Sequence, residues 1–206
     1  MHLLFLSLLQ VAQAYDPNTP HGHQGILKAI TSAPAAIPLS SADKAQLMNG
    51  EVLLKSSRGD EGGRGVAIQY VQANENKVWE TILDYDQYPN RVSNVKSCEV
   101  YKRSGEQISV ELISSIMGFS VGVYTVNTVK KSEGYMAWTL DYARESDAYD
   151  MIGYWRVEQI QDNPPLTKLE YSTEVQLRGV PSFVANYLSK GALKDGTQWV
   201  KTYSEQ

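Results

Sequence analysis

Histidine and cysteine are scarce in this chain, and their scarcity excludes several kinds of catalytic and metal site. The three histidines are His2, His21 and His23. From position 24 onward, Ser-His-Asp or Cys-His nucleophile pairs, His-ligated zinc sites and histidine pH switches therefore lack their central residue. Cys98 is the only cysteine, so no intramolecular disulfide can form. Catalysis would have to use Asp, Glu, Tyr, Lys or Arg, and we expect neither a metal nor a cofactor.

Strong charge is also missing. The formal net charge is -4, and no basic run is longer than Lys130-Lys131. A phosphate-neutralising surface for nucleic acid is therefore disfavoured. The 206 residues suffice for one domain of ordinary size plus extensions.

The N-terminus carries the pattern of an export signal. An apolar run over residues 3–9, extended by Val11, precedes the small residues of Ala12-Gln13-Ala14. This order predicts a secretory signal over residues 1–14 and a periplasmic or extracellular destination. The run is too short to span a bilayer, which needs about 20 apolar residues. No Lys or Arg precedes it; a true start farther upstream would supply one and keep the signal, whereas a buried core helix is the weaker alternative.

Residues 15–40 hold four of the eight prolines and show little periodic apolar pattern. We interpret them as an extended or partly disordered linker before a single domain over residues 41–206, with its core in residues 51–203. His21 and His23 could chelate a metal weakly, although two solvated polar side chains are the more common outcome. Ser40 or Ser41 is expected to cap a short helix that ends at Asn49-Gly50.

Period-two alternation predicts most of the remaining elements. We expect strands over residues 51–56, 66–72, 95–102, 107–116, 119–130, 135–143, 151–160 and 166–177. A helix capped by Asn74 or Asn76 interrupts them, and the glycine-rich residues 58–65 are predicted to form a mobile hairpin loop. Because short turns separate the later strands, they should be antiparallel, which excludes a doubly wound parallel sheet.

The last segment, residues 182–203, is predicted to be one long helix. Its apolar face is formed by Val184, Leu188, Ala192, Trp199 and Tyr203, with Lys190, Lys194 and Lys201 opposite. Gly191 and Gly196 each cost about 1 kcal/mol relative to Ala inside a helix. Either the helix is interrupted there, or something lies close against it.

Three stretches of the chain resemble the START-like superfamily, which includes polyketide cyclase/dehydrase, lipid-transport and coenzyme Q-binding helix-grip proteins. Residues 77–89, followed by Val95, resemble the first helix and its aromatic-proline turn. Residues 153–157 resemble a late strand, and residues 180–183 resemble the entry to the C-terminal helix. The resemblance is clearer for fold than for function, because the fold hosts carriers, receptors and enzymes.

This resemblance implies an α+β helix-grip fold, in which a curved antiparallel sheet wraps around a long C-terminal helix and encloses an apolar cavity. Small residues at Gly191, Ala192 and Gly196 would then leave volume for a ligand. Close helix-sheet packing without a cavity is the alternative, and both interpretations stay open. The candidate ligand-binding residues placed by the resemblance are Trp79, Tyr88, Met117, Phe119, Trp138, Trp155, Tyr171, Phe183, Tyr187, Ala192 and Gly196.

Arg156 is the candidate with charge. On a cavity face it could bind a ligand carboxylate or phosphate; on the outer face it would form solvated pairs with strand glutamates. Asp84 and Asp86 flank a Tyr-Pro turn, where aspartate is ordinary turn chemistry, and we assign them no catalytic role.

The leading hypothesis is an exported, non-catalytic protein that binds a lipid or other hydrophobic small molecule, with transient membrane-surface contact among its expected interactions. A cyclase or dehydratase acting on a polyketide-like substrate through a cavity Tyr, Arg or Asp is the second hypothesis. The third is a ligand-free interaction module of the envelope. The sequence leaves the oligomeric state open.

Overall fold

An eight-stranded antiparallel sheet dominates the part of the chain that the structure describes. The computed structural model describes residues 16–59, 62–116, 119–177 and 182–206, with side chains described there except in residues 56–64, 116–119 and 177–192. The strands are β1 (Leu53–Gly59), β2 (Gly62–Val71), β3 (Val95–Ser104), β4 (Gln107–Ile116), β5 (Phe119–Lys130), β6 (Tyr135–Leu140), β7 (Ala148–Asp162) and β8 (Pro165–Leu177). The helices are α1 (Ser41–Met48), α2 (Glu75–Leu83), α3 (Tyr88–Arg91) and α4 (Ser182–Ser204).

The strand order is β1-β2-β8-β7-β6-β5-β4-β3. From β3 to β8 each strand pairs with its neighbour in the sequence, as short turns require. The exception is the contact of β2 with β8, where Ile68 lies opposite Glu170. This pairing joins the first hairpin to the long meander and completes the predicted antiparallel sheet, whose curved form wraps around α4.

Side chains cap the first two helices where the sequence predicts. Ser40 and Asp43 form a reciprocal capping box at the start of α1. The Asn74 side chain accepts a hydrogen bond from the Lys77 N–H at 2.9 Å and begins α2. Each cap satisfies backbone donors that have no partner inside the helix.

The predicted hairpin over residues 58–65 is confirmed, but its connecting loop is shorter than this range. Backbone pairing of β1 with β2 extends to Arg58 opposite Gly63 and Gly59 opposite Gly62, and residues 60–61 lie outside the described residues. Glycine carries no side chain to oppose the extended conformation, and its backbone N–H and C=O still enter the ladder. The glycines therefore lie within the ends of two paired strands.

The two faces of the sheet bury different material. Helices α2 and α4 cover the concave face, where the largest apolar cluster lies. Helix α1 and residues 16–40 cover the convex face, where Ile30, Ile37 and Leu39 pack beside Ile68 and Tyr154. Both faces of the central strands are therefore buried.

Residues 16–40 contain turns and bends but neither helix nor strand, and they are held on the sheet by specific hydrogen bonds. The fully buried Asp150 carboxylate accepts hydrogen bonds from the N–H groups of Ile26 (2.5 Å) and Leu27 (2.7 Å). The Tyr149 carbonyl oxygen accepts hydrogen bonds from Nε2 of both His21 and His23. The segment therefore forms a layer of the fold, which we call the N-terminal strap.

Helix α4 confirms the predicted long C-terminal helix, but it buries two stripes of side chains. Leu193, Thr197 and Val200 are nearly inaccessible, and α4 packs on β2, β8 and α2. The predicted apolar face omitted these residues. Lys201, expected on the wet side, donates to the Tyr70 carbonyl at 3.1 Å. The predicted face residues Val184, Leu188 and Ala192, and Lys190 opposite them, lie outside the described side chains.

Candidate functional site

A cavity of about 560 Å³ lies between the concave face of the sheet and α4. Inward-facing side chains of β3 to β8 form most of its wall, and α3 and α4 complete it. Its strand residues include Val95, Cys98, Val110, Leu112, Ser114, Val121, Val123, Thr125, Asn127, Met136, Trp138, Met151, Trp155, Tyr171, Thr173 and Val175. They mostly follow the two-residue period of a strand, because alternate side chains point to the same face.

Aromatic rings form one continuous part of this wall. Tyr171 lies between Trp138 and Trp155, with ring centroids 5.9 and 4.3 Å away. The Trp155 ring also contacts the ring of Trp199 on α4. The Trp199 ring centroid in turn is 5.0 Å from that of Tyr88. Such tilted and stacked contacts stabilise large apolar surfaces without closing the space beside them.

Gly196 allows α4 to approach this aromatic wall. A Cβ atom at Gly196 would lie 2.5 Å from Cε1 and 2.7 Å from Cδ1 of Tyr171. Real Cβ contacts are longer, so the missing side chain permits direct contact between helix backbone and ring. Gly196 also lines the cavity. The sequence left open whether the small residues of α4 allow close packing on the sheet or leave room for a cavity. At Gly196 both occur.

Burial holds the thiol and the phenols of the wall in their neutral forms, whereas Arg91 and Asp195 are the basic and acidic residues that also line it. Burial raises the pKa of the Cys98 thiol to about 12. Burial likewise raises the pKa of Tyr171 to about 12, and it raises the pKa of Tyr85 further. At neutral pH these side chains are a thiol and two phenols, so the wall offers hydrogen bonds and apolar surface.

Arg91 supplies a cation at the cavity, but it already has partners. Its Nη2 lies 2.8 Å from the Asp84 carboxylate, and its guanidinium lies 5.2 Å from the Tyr203 ring centroid. Asp84 therefore orients Arg91.

Five of the predicted site residues line the cavity: Tyr88, Trp138, Trp155, Tyr171 and Gly196. The Tyr88 hydroxyl donates to the Ile82 carbonyl at 2.5 Å, so its ring is fixed. Trp79 is 2% exposed and packs in the concave core without lining the cavity. Met117, Phe119, Phe183, Tyr187 and Ala192 lie outside the described side chains.

Arg156 lies on the convex face, away from the cavity. Its Nη1 donates to the Pro34 carbonyl of the strap at 3.3 Å, and its Nη2 is 3.4 Å from Glu158. Lys168 pairs with Glu158 and with the fully buried Glu170 at 2.8 and 3.2 Å. The charged strand residues therefore hold the strap, and Arg156 is not placed to anchor a ligand in the cavity.

Sequence reasoning missed the polar residues of β5, Thr125 and Asn127, and the aliphatic ones beside them. Alternation on β4 and β5 was the available signal, since every second residue from Val110 and from Val121 lines the cavity. Choosing which alternate set faces inward required the positions of α4 and the strap.

Among the described residues, no group of three or more His, Cys, Asp and Glu side chains could hold a metal ion. None of the helices in that part of the chain is long and apolar enough to cross a membrane.

A family profile described as polyketide cyclase / dehydrase and lipid transport matches residues 71–195, which is more than half of the chain. The chain belongs to this family. The match begins at the end of β2, includes the strands β3 to β8 that form most of the cavity wall, and ends within α4.

Solved structures share the fold of this family member at low sequence identity. A START superfamily protein from Mycobacterium smegmatis has 19% identity and a TM-score of 0.56, covering 70% of this chain and 99% of its own. A STAR-related lipid transfer protein from Xanthomonas axonopodis has 14% identity and a TM-score of 0.58, covering 75% and 93%. The Zhui aromatase/cyclase from a Streptomyces species has 15% identity and a TM-score of 0.50, covering 74% and 83%. None of the curated proteins matches this chain. At these identities the likeness concerns the fold, which is the predicted helix-grip fold.

Proposed function

We propose that this protein binds a lipid or another hydrophobic small molecule in the cavity between the sheet and α4. The observation that carries this proposal is the cavity itself, whose volume of about 560 Å³ falls in the usual range for small-molecule sites. Burying an apolar ligand against its aliphatic and aromatic wall removes apolar surface from water, which favours binding.

Binding accounts for the buried thiol and phenols of the wall better than proton transfer by these groups does, while Arg91 and Asp195 are the wall residues that the cyclase alternative would use. A cyclase or dehydratase needs a group that gains or loses a proton near neutral pH. Cys98, Tyr85 and Tyr171 keep their protons, because burial raises their pKa values far from neutrality. The aromatase/cyclase among the similar structures shares the fold alone, so the proposal rests on the wall of this cavity.

The direct test is to purify the protein from its producing cells, extract it with organic solvent and analyse the extract by mass spectrometry. A lipid or other apolar molecule in stoichiometric amount is the expected result. In parallel, the delipidated protein is titrated with N-phenyl-1-naphthylamine, a neutral fluorescent probe. Trp138, Trp155 and Trp199 line the cavity, so their fluorescence should fall as the probe binds.

A matched pair of variants connects binding to the cavity. Leu112 lines the cavity, and its neighbour Ile113 follows on the same strand and points to the other face. Leu112→Trp fills part of the cavity and should weaken probe binding at least tenfold, while Ile113→Trp should leave it within about twofold. Equal effects of the two substitutions, or no binding by the folded wild-type protein, would contradict the proposal.

We also propose that residues 1–14 direct export. The pattern in the sequence supports this, and cleavage after Ala14 would keep the strap intact, since its first described contact is the Asp16 N–H bond to Glu145 at 3.2 Å. N-terminal sequencing of the protein from fractionated cells is the test. We expect a mature chain that begins at or next to Tyr15 in the exported fraction, and an uncleaved chain in the cytoplasm would overturn this part.

A further inference from the structure

Asn127 is a polar residue in the apolar wall, and its carboxamide has a fixed orientation. Its Nδ2 donates to the Ile108 carbonyl and to Thr125 Oγ1, each at 3.1 Å. A carbonyl oxygen only accepts hydrogen bonds, so rotating the amide by 180° would place two acceptors against each other. The two donor bonds therefore direct Oδ1 away from β4.

The Asn127 Oδ1 atom is an acceptor without a protein partner. Among the described residues, the side-chain hydrogen bonds of Asn127 all use Nδ2, and no residue donates to Oδ1. Asn127 is 6% exposed and lines the cavity. Oδ1 is not among the side-chain atoms that are both fully buried and without a hydrogen-bond partner. Because it has no partner, it must be partly accessible, and we infer that this accessible part faces the cavity. An accessible acceptor in an apolar wall can take a hydrogen bond from a ligand donor, which adds to the affinity for a ligand that carries one.

The surroundings select the chemical class of that donor. Trp138 lies directly opposite Asn127 on β6, but its Nε1 is enclosed by protein, so it offers the cavity a ring surface. Arg91 lines the cavity and is paired with Asp84. An anionic headgroup beside Asn127 would meet an acceptor oxygen and an apolar ring, both unfavourable to negative charge. A neutral hydroxyl can donate to Oδ1.

We propose that Asn127 Oδ1 accepts a hydrogen bond from the hydroxyl group of a neutral, mainly apolar ligand, such as a long-chain alcohol, a sterol-like alcohol or a phenol. This inference rests on the proposed function, because it assigns the polar recognition point of the same cavity. Thr125 and Ile108 position the acceptor, and the aromatic wall receives the apolar body of the ligand.

The test compares two probes that differ in one donor. 2-Naphthol can donate a hydrogen bond, and 2-methoxynaphthalene cannot. The ratio of their Kd values is measured by tryptophan fluorescence for the wild-type protein and for Asn127→Val, so that the different hydrophobicity of the probes cancels between the proteins. One hydrogen bond corresponds to a change of about tenfold in this ratio.

Thr173→Val is the control, because Thr173 lines the cavity on β8 and its hydroxyl already donates to the Ile152 carbonyl at 3.5 Å. We expect it to keep the wild-type ratio, while Asn127→Val loses the preference for 2-naphthol. If Asn127→Val does not fold, NMR of the wild-type protein decides the question. The side-chain amide signals of Asn127 should then shift with 2-naphthol and much less with the ether.

The outcomes separate this inference from the proposed function. Binding of both probes with equal ratios in the wild-type protein and Asn127→Val would overturn the role of Asn127 and leave hydrophobic binding in place. Failure of the folded wild-type protein to bind either probe would overturn the proposed function as well. Unchanged Asn127 signals on saturation with 2-naphthol would also overturn the hydroxyl assignment.

Discussion

The two faces of the sheet use opposite chemistry to bury their side chains. On the concave face, mostly aromatic and aliphatic residues surround a cavity in which the Cys98 thiol and the Tyr171 phenol stay neutral. On the convex face, the buried charges of Asp150, Lys168 and Glu170 lie beneath or beside the N-terminal strap. A strap with many backbone donors and acceptors can compensate buried charge, whereas an apolar ligand cannot.

This difference explains why the charged strand residues were poor guides to the ligand site. Arg156 and Glu170 alternate with Trp155 and Tyr171 along paired strands, so each charge is one residue from the cavity wall and on the other face. A ligand site sought from charge would have been placed on the wrong side of the sheet.

The largest expected loss of stability comes from a substitution on the convex face. Asp150→Ala removes a buried carboxylate that accepts from the N–H groups of Ile26, Leu27 and Met151 and from the Tyr142 hydroxyl. We expect the free energy of unfolding to fall by about 3 kcal/mol or more, because these donors lose a charged acceptor. Urea unfolding measures the change, with faster amide exchange at Ile26 and Leu27. Asp162→Ala, at an exposed position, is the control and should change it by about 0.5 kcal/mol or less.

The next effect tests the contact between α4 and the aromatic wall. Gly196→Ala places a Cβ against Tyr171 and should cost about 1–3 kcal/mol of overpacking, partly offset by about 1 kcal/mol of helix propensity. Thermal or urea unfolding gives the net loss, and Lys194→Ala on the exposed side of the same helix is the control. A second Tyr171→Leu substitution should recover part of the loss; full additivity would argue against direct contact.

Arg156→Met tests whether the two faces are independent. It removes the hydrogen bond to Pro34 and the pair with Glu158, so we expect a loss of about 1 kcal/mol in unfolding free energy. The Kd of the neutral probe should stay within about twofold of the wild-type value, since Arg156 is outside the cavity wall. A large loss of probe affinity with an unchanged fold would contradict the separation of the faces.

The smallest expected effect is a pH dependence of the convex face. Burial raises the pKa of Glu170 above its usual 4.5, although Lys168 and Arg156 act in the opposite direction. Its ionised form is therefore disfavoured in the folded state, and this cost disappears as pH falls from neutral through the raised pKa. The measurement is the difference in unfolding free energy between the wild type and Glu170→Gln at each pH. This difference should change in favour of the wild type as the pH falls from 7 toward 4.5. A flat difference would contradict the assignment.

Asp150 gives the opposite sign at lower pH. Burial would raise its pKa, but hydrogen bonds from Leu27, Ile26, Tyr142 and Met151 outweigh burial and hold the pKa below 3.8. The stability that it contributes is present above pH 3.8 and is lost as pH falls through the lower folded-state pKa. The same titration series should therefore turn downward below about pH 3.8, and the downturn should be smaller in Asp150→Asn.

Local patterns were sufficient for most secondary structure. The limits of β4 and β5 agree with the prediction at both ends, and the caps at Ser40 and Asn74 are confirmed. These features depend on residues within a few positions of one another, where propensity, alternation and capping act directly. The loop of the first hairpin was predicted too long, because ladder pairing outweighed the loop propensity of glycine.

Contacts between distant parts of the chain decided the remaining features. The sequence by itself determined the antiparallel strands, the long C-terminal helix, the membership of the helix-grip fold and the supply of aromatic residues. Only the tertiary structure decided that residues 16–40 cover the convex face, that Arg156 faces this strap, and that Asn127 lines the cavity. The Ile37 N–H reaches Glu170 across 133 positions of sequence. The free energy of burying a face depends on what covers it, and that covering segment comes from a part of the chain that alternation within one strand does not specify.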